Sequence, residues 1–184
     1  ALAVAEALAV AHGHGVLHRD LTPANVMLTQ EGEVRVLDFG LASSRGGAPL
    51  LSPEDPQQRE DSQAPREDSQ AMVSQLCGSP PFIAPELWRR RGSSSASDVW
   101  SFGVLLYQLV SGDLPFRGAG IVQLAHVICS GERSPELPPS RGEENVPLVL
   151  RELVGVCLNK DPTQRPSAED LVTRLRVLVR HDPA

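Results

Sequence analysis

Residues 97–111 limit the possible folds of this chain more than any other segment. Their large apolar side chains are Val99, Trp100, Phe102, Val104, Leu105, Leu106, Leu109 and Val110. A helix that is apolar on nearly every side is stable only when other elements surround it, because each face turned to water would lose hydrophobic stabilisation. We therefore expect a central, buried helix with other elements packed around it.

Four further segments carry helical patterns, and one region carries a strand pattern. The additional helices are expected at residues 1–12, 119–130, 146–159 and 167–179. The last of these begins with Ser167 and Asp170 at the spacing of a capping box. Short apolar runs at 26–28 and 34–37 flank a Glu-Gly turn, which predicts a β-hairpin. The predicted fold class is α+β, mainly α-helical, with one small hairpin.

Three short motifs follow one another along the chain. Residues 18–25 read H-R-D-L-T-P-A-N, residues 38–40 read D-F-G and residues 84–86 read A-P-E. In this order, with the hairpin between the first two, they resemble the catalytic loop, metal-binding triplet and A-P-E motif of eukaryotic-type protein kinases of the serine/threonine type. The resemblance implies the large, C-terminal lobe of a kinase catalytic domain over residues 1–180, with the hairpin at its active edge and residues 181–184 as a tail.

The resemblance implies catalytic and nucleotide-binding roles for residues at both ends of the hairpin. Asp20 would orient the substrate hydroxyl and accept its proton as a general base. Asn25 and Asp38 would bind Mg²⁺ through an amide and a carboxylate oxygen, with phosphate oxygens of ATP completing the ligand set. Met27 would lie under the adenine ring of ATP, and Gly40 would let the backbone turn tightly after the second metal ligand. The hairpin is expected to bring the two metal ligands together.

Other residues resemble structural or regulatory positions of the same family. His18 and Phe39 would stack inside the lobe, so His18 is expected to be structural and not a proton carrier. Asp98 would accept hydrogen bonds from the backbone of the catalytic loop. Glu86 and Arg165 would form a buried ion pair, whose disruption typically costs about 3–5 kcal/mol.

The loop that leads into the A-P-E motif indicates the type of substrate. Residues 78–86 resemble the substrate-docking loop of serine/threonine kinases, and Ser79 predicts Ser and Thr hydroxyls of proteins as substrates.

The sequence departs from the family pattern at Thr22, where most such kinases carry a lysine. A cation that would stabilise the transferred phosphoryl group is therefore missing, which puts the rate in doubt more than the reaction.

Residues 43–79 form a long segment that is rich in Gly, Pro, Ser, Gln and charge, and we expect a disordered activation segment there. It contains the repeat R-E-D-S-Q-A, whose serines, Ser62 and Ser69, are candidate phosphorylation sites; the alternative is an insertion with no role. The usual activating phosphosite falls one residue after Ser74. Either Ser74 replaces it and Arg19 binds the phosphate, or Arg19 binds an acidic loop residue, or loop phosphorylation is not the switch.

The composition limits the partners and the location of the protein. With 23 acidic and 17 basic residues, the formal charge is −6, which argues against nucleic acid or an anionic membrane as the main partner. The three cysteines, Cys77, Cys129 and Cys157, form no C-x-x-C pair, which favours reduced thiols in a cytoplasmic protein, or in the cytoplasmic part of a larger one. The apolar opening at residues 1–11 is too short to span a bilayer.

The only lysine is Lys160, near the C-terminus. Protein kinases need a lysine on a small-lobe strand and a glycine-rich loop over the phosphates of ATP, and this sequence offers neither. We therefore expect the N-terminal lobe to be absent here and to lie upstream of Ala1. Two functions remain: part of an ATP- and Mg²⁺-dependent serine/threonine kinase, with this chain alone inactive or nearly so, or a pseudokinase or truncated lobe that binds partner proteins. The presence of Asp20, Asn25 and Asp38 favours the first.

Overall fold

The computed structural model of the protein describes residues 1–39, 79–130, 135–138, 140–141 and 144–180. The helices in these residues are α1 (Leu2–Gly13), α2 (Pro85–Trp88), α3 (Ser95–Ser111), α4 (Ile121–Cys129), α5 (Leu148–Cys157) and α6 (Ala168–Arg180). The strands are β1 (Val26–Leu28), β2 (Val34–Val36), β3 (Ser140–Arg141) and β4 (Glu144–Asn145), which form the antiparallel pairs β1–β2 and β3–β4. The mainly helical architecture with a small hairpin confirms the predicted fold class. No helix in the described ranges has both the length and the apolar character needed to cross a membrane.

Helix α3 lies at the centre of the structure, as its sequence predicts. Residues 97–106 are buried without interruption, and Trp100 and Phe102 are among the largest fully buried side chains. Helix α5 comes very close to α3 at Gly103, where an added Cβ would lie 2.7 Å from the Cβ of Cys157. The contact between these two helices therefore depends on the missing side chain of Gly103.

Helix α1 packs along α6 and ends at Gly13, five residues before the H-R-D motif at residues 18–20. Leu8 of α1 and Leu171 of α6 are completely buried. At the surface, a guanidinium nitrogen of Arg176 lies 2.8 Å from a carboxylate oxygen of Glu6. The burial of α1 fixes the point at which residues 18–25 leave the helical core.

The hairpin β1–β2 has the predicted pairing, with Val26 opposite Val36. One residue further out, the backbone N–H of Leu37 donates to the carbonyl oxygen of Asn25 at 2.9 Å. Asp38 follows Leu37 directly in the chain. The pairing therefore brings the backbones of the two predicted metal ligands next to each other at the open end of the hairpin.

The structure differs from the sequence-based predictions in its helix ends and in one strand pair. Helix α3 begins two residues earlier than predicted; at its start the Ser97 hydroxyl accepts a hydrogen bond from the N–H of Ser94. Strands β3 and β4 lie between the helices predicted at 119–130 and 146–159, where no strand was predicted, because two-residue strands carry too little pattern to be recognised. The capping box of α6 is confirmed: the Ser167 hydroxyl accepts from the N–H of Asp170, whose carboxylate accepts from the N–H of Ser167.

Candidate active site

Asp20 lies in the loop between α1 and β1 and is partly exposed. Its Oδ1 accepts a hydrogen bond from the backbone N–H of Ser79 at 3.0 Å. Its own backbone N–H donates to Nδ1 of His18 at 3.3 Å, and its carbonyl oxygen accepts from Nδ2 of Asn25 at 2.8 Å. Oδ2 has no hydrogen bond to a described residue. Asp20 is therefore fixed through three of its polar atoms, while one carboxylate oxygen stays available to a substrate.

Asn25 and Asp38 supply the oxygen atoms of a candidate metal site. Because Nδ2 of Asn25 is occupied by the carbonyl of Asp20, the orientation of the amide is fixed and Oδ1 is its available ligand atom. Asp38 is exposed and adds a carboxylate. Mg²⁺ prefers hard oxygen donors and is commonly held by one or two protein ligands together with phosphates and water, so these two residues fit it. Within the described ranges, no three or more His, Cys, Asp or Glu side chains come together as a metal cluster.

Two residues of the site have a left-handed backbone conformation although neither is glycine. Arg19 has φ +69° and Asp38 has φ +61°. This conformation costs roughly 1–2 kcal/mol for an L-residue, so it persists only where neighbouring contacts hold it. For Arg19, such a contact is the hydrogen bond from its N–H to Asp98. Strain of this kind is concentrated at functional sites, which supports the two loops as parts of one site.

Asp98 of α3 accepts hydrogen bonds from the backbone of the loop that contains Asp20. It is only 2% exposed, and its carboxylate accepts hydrogen bonds from the N–H of His18 at 2.9 Å and from the N–H of Arg19 at 2.8 Å. A third bond comes from Nε2 of His12, 2.9 Å from Oδ2. Sequence reasoning did not find His12. Its only signal was a histidine in the last turn of α1, and nothing local indicates a partner 86 residues away.

Glu86 and Arg165 form the ion pair expected from the sequence, with two parallel contacts of 2.7 and 2.8 Å. The Ser97 hydroxyl donates to Glu86 at 2.9 Å, and Arg165 also donates to the carbonyl oxygens of Ala96 and Asn159. Burial raises the pKa of Glu86, but the hydrogen bond and charge of Arg165 outweigh it, so this pKa lies below its ordinary value. Through these contacts the pair connects the A-P-E motif with the start of α3 and with the segment before α6.

The rings of His18 and Phe39 pack against each other, with centroids 4.7 Å apart. His18 is fully buried, and among the described residues its Nε2 has no hydrogen-bond partner. Two residues of strand β1 are instead exposed to solvent, Met27 to 50% and Leu28 to 70%. An apolar face is therefore open to solvent beside the catalytic loop, at the position expected to support adenine.

Some of the predicted residues cannot be compared with the structure. Gly40, Ser62, Ser69 and Ser74 lie outside the described residues, as does the predicted activation segment up to residue 78. Thr22 is described and is buried at 4% exposure. It contributes no charge beside Asp20, so the missing cation noted in the sequence is not replaced at that position.

Comparison with known proteins identifies the family. The protein kinase domain model matches residues 1–175. The serine/threonine-protein kinase PkaA of Streptomyces coelicolor is 36% identical over 178 residues, which are 95% of this chain and 28% of that protein. The serine/threonine-protein kinase PknA of Mycobacterium tuberculosis is 34% identical over 161 residues, 86% of this chain and 31% of that protein. A probable serine/threonine-protein kinase of Clostridium perfringens is 30% identical over 183 residues, 98% of this chain and 23% of that protein.

The matches cover most of this chain but only part of each relative. The chain spans about a quarter to a third of the length of these curated relatives. The match to the family model nevertheless includes all three motifs, the hairpin between the first two, and the helices from α1 to most of α6. The chain belongs to the protein kinase domain family.

Proposed function

We propose that this chain is the C-terminal lobe of a protein serine/threonine kinase, which transfers the γ-phosphoryl group of ATP to Ser and Thr hydroxyls of protein substrates. The observation that carries the proposal is the geometry of Asp20. One oxygen of its carboxylate is held by the N–H of Ser79, and the other has no hydrogen bond to a described residue. A general base fixed in this way typically contributes about 10²–10⁴ to the rate. Serine/threonine kinases among the relatives and the presence of Ser79 support the choice of substrate hydroxyl.

Each of the three polar residues would have a separate task in this reaction. Oδ2 of Asp20 orients the substrate hydroxyl and accepts its proton. Oδ1 of Asn25 and the carboxylate of Asp38 would hold Mg²⁺, which would supply positive charge against the phosphate oxygens of ATP. The hydrogen bond from Asn25 to the carbonyl of Asp20 keeps the base and the metal ligand in a fixed relation. Phosphoryl transfer depends mainly on positioning and electrostatics, so this rigidity is the main contribution of the chain.

The described residues supply no lysine for the α- and β-phosphates of ATP. Lys160 donates to the carbonyl oxygen of Ile128 at 2.8 Å, and its Nζ lies 4.2 Å from the ring centroid of Phe116. It is thus committed to the helical core. The exposed Met27 and Leu28 are equally without an apolar cover over the adenine position. We therefore propose that another part of the protein supplies both, and that residues 1–184 alone have little or no phosphotransfer activity.

The proposed location is the cytoplasm, or the cytoplasmic part of a larger protein. Of the cysteines in the described ranges, Cys129 and Cys157 are both free thiols. Burial raises the pKa of the Cys157 thiol to about 12, which keeps it unreactive at neutral pH. Thiols of this kind support a reducing compartment but do not define one.

The test uses the protein expressed from its whole gene, with Mg²⁺ and radiolabelled ATP. Phosphorylated serine and threonine are the expected products, and Asp20→Asn should lower the rate about 10²–10⁴-fold. Asp113→Asn is the matched control, because it removes an exposed carboxylate elsewhere and should leave the rate unchanged. If the wild-type protein binds partner proteins but transfers no phosphate, the non-catalytic alternative replaces the proposal. Efficient transfer by residues 1–184 alone would contradict the proposed need for a second part.

A further inference from the structure

His12 lies in the last turn of α1, outside the three motifs, and the proposed reaction gives it no role. Its Nε2 lies 2.9 Å from Oδ2 of Asp98, and the two side chains are only 8% and 2% exposed. Because an ionised carboxylate can only accept hydrogen bonds, Nε2 of His12 carries a proton and donates it. A bond of this kind, to a charged group and away from water, is stronger than the same bond at the surface.

The Asp98 carboxylate needs several donors because it is buried. It accepts from the N–H groups of His18 and Arg19, and His12 supplies the third donor from its side chain. Oδ2 is shared by His12 and His18, whereas Oδ1 accepts from Arg19. Without the imidazole, each oxygen would keep one backbone donor and water could not easily replace the lost one. The orientation of the carboxylate would then be less restricted.

The end of α1 holds the His12 side chain in a fixed place. The N–H of Gly15 donates to the carbonyl oxygen of His12 at 2.9 Å, and the N–H of Val16 donates to that of Ala11 at 2.9 Å. Gly15 has φ +71°, the left-handed conformation that often follows the end of a helix. One turn earlier in the same helix, Leu8 is fully buried. His12 is therefore a donor on a rigid element, as a group that orients another group must be.

The influence of Asp98 extends to Asp20 through two neighbouring residues. Arg19 has the strained φ of +69°, and its N–H is held by Oδ1 of Asp98 at 2.8 Å. The N–H of Asp20 donates to Nδ1 of His18, whose own N–H donates to Oδ2 of Asp98. A shift of the Asp98 carboxylate would therefore move the backbone that carries Asp20. A displacement of about 1 Å at a reacting group can lower a rate about 10²-fold.

We propose that His12 is a positioning residue for Asp20, which acts by orienting the Asp98 carboxylate that holds the backbone of His18 and Arg19. The inference rests on the proposed function, because it takes Asp20 to be the general base. In this role His12 contacts neither the nucleotide nor the protein substrate. Its loss is therefore expected to lower kcat and to leave KM nearly unchanged.

The experiment compares the wild-type protein, expressed from its whole gene, with three variants. His12→Leu fills the space of the imidazole without supplying a donor. His12→Gln is the conservative variant, because its side-chain amide can place an N–H near the position of Nε2. His14→Leu is the matched control: His14 is exposed, lies two residues further on, and contacts the carbonyl oxygen of Val10 through its ring.

Steady-state kinetics with Mg²⁺, ATP and a serine peptide give the first readout, at a temperature well below the unfolding of every variant. His12→Leu should lower kcat about 10- to 100-fold and change KM by less than about twofold. His12→Gln should recover kcat to within about threefold of wild type, and His14→Leu should match wild type. An unchanged kcat in His12→Leu, or the same loss in His12→Gln, would overturn the inference. If His12→Leu does not fold, His12→Asn replaces it, because its shorter amide cannot reach Asp98.

Hydrogen–deuterium exchange, followed by mass spectrometry of a peptide covering residues 16–20, gives a second readout that needs no activity. His12→Leu should speed exchange in this peptide about tenfold or more and leave peptides from α6 unchanged. The exchange of His12→Gln and His14→Leu should match that of the wild-type protein.

The two readouts separate this inference from the proposed function. If no form transfers phosphate but exchange rises in His12→Leu alone, the control of the loop by His12 is supported and the kinase activity is not. If the wild-type protein transfers phosphate and neither kcat nor exchange responds to His12→Leu, the kinase activity is supported and the positioning role is refuted.

Discussion

Two polar regions of this protein differ in their access to water and in the number of their hydrogen bonds. The buried polar frame consists of Glu86, Arg165, Ser97, Asp98 and His12. The active edge consists of Asp20, Asn25 and Asp38. In the frame, Glu86 is 6% exposed and Asp98 is 2% exposed, and each carboxylate accepts three hydrogen bonds.

At the active edge, Asp20 and Asn25 are partly exposed, Asp38 is exposed, and the side chains have few hydrogen bonds. The Asp20 carboxylate accepts one hydrogen bond, from Ser79. The comparison shows that the groups that hold the backbone rigid are different from the groups proposed to react. Buried groups hold the backbone because water cannot compete for their bonds, whereas groups proposed to react keep unoccupied oxygens that a substrate or metal can reach.

The largest effect on folding is expected when the buried polar frame loses a charge. Arg165→Met leaves the Glu86 carboxylate buried without its cation and should lower the free energy of unfolding by about 3–5 kcal/mol. Chemical denaturation of the wild-type and variant proteins measures the difference. The control is Arg176→Met, which removes an exposed partner of Glu6 and should change stability by about 1 kcal/mol or less. Similar losses in the two variants would show that burial does not distinguish the frame.

A smaller effect is expected from Gly103→Ala in the centre of the core. The added Cβ would lie 2.7 Å from Cys157 Cβ and 3.1 Å from a methyl carbon of Leu158. Helices α3 and α5 must separate slightly, which should cost about 1–3 kcal/mol. The matched control is Gly155→Ala on α5, where nothing lies within 4 Å of the added Cβ. The same unfolding measurement decides the point, and an equal response of the two variants would mean that the close contact is not rigid.

The pH dependence of stability should also report on the frame. The folded-state pKa of Glu86 lies below its ordinary value of 4.5, so its contribution is present above pH 4.5 and is lost as the pH falls through the lower, folded-state pKa. Glu86→Gln should therefore reduce the part of the stability change that occurs between pH 6 and pH 3.5. Denaturation of both proteins at these two pH values provides the comparison. Parallel pH profiles would remove Glu86 from the acid response.

The smallest effect on folding is expected at the active edge. Asp20→Asn keeps an oxygen that can accept the N–H of Ser79, so the free energy of unfolding should change by about 0.5 kcal/mol or less. Thermal unfolding of the same preparation used for the activity assay gives this value. A loss comparable to that of Arg165→Met would mean that Asp20 belongs to the frame, and the separation of the two regions would fail.

The elements that carry the active edge could be predicted because their signals are local, whereas the roles of Asp20, Asn25 and Asp38 came from resemblance to a family and are a proposal. The hairpin, the central helix and the capping box of Ser167 and Asp170 all depend on residues close together in the sequence. The contact of Glu86 with Arg165 was expected only through resemblance to a family, since the two residues are 79 positions apart. His12 carried no local signal that linked it to Asp98, which lies 86 positions further along the chain.

The sequence by itself determined the five long helices, the hairpin β1–β2, the order of the motifs and the chemical types available to the site. Only the tertiary structure decided that His12 meets Asp98, that the N–H of Ser79 reaches Asp20 across 59 residues, and that Lys160 is engaged in the core. The physical reason is the separation along the sequence between the residues that determine each feature. Helix and hairpin patterns arise from neighbours along the chain, whereas the contacts of a buried carboxylate or a lysine depend on how separate helices pack, which no local pattern encodes.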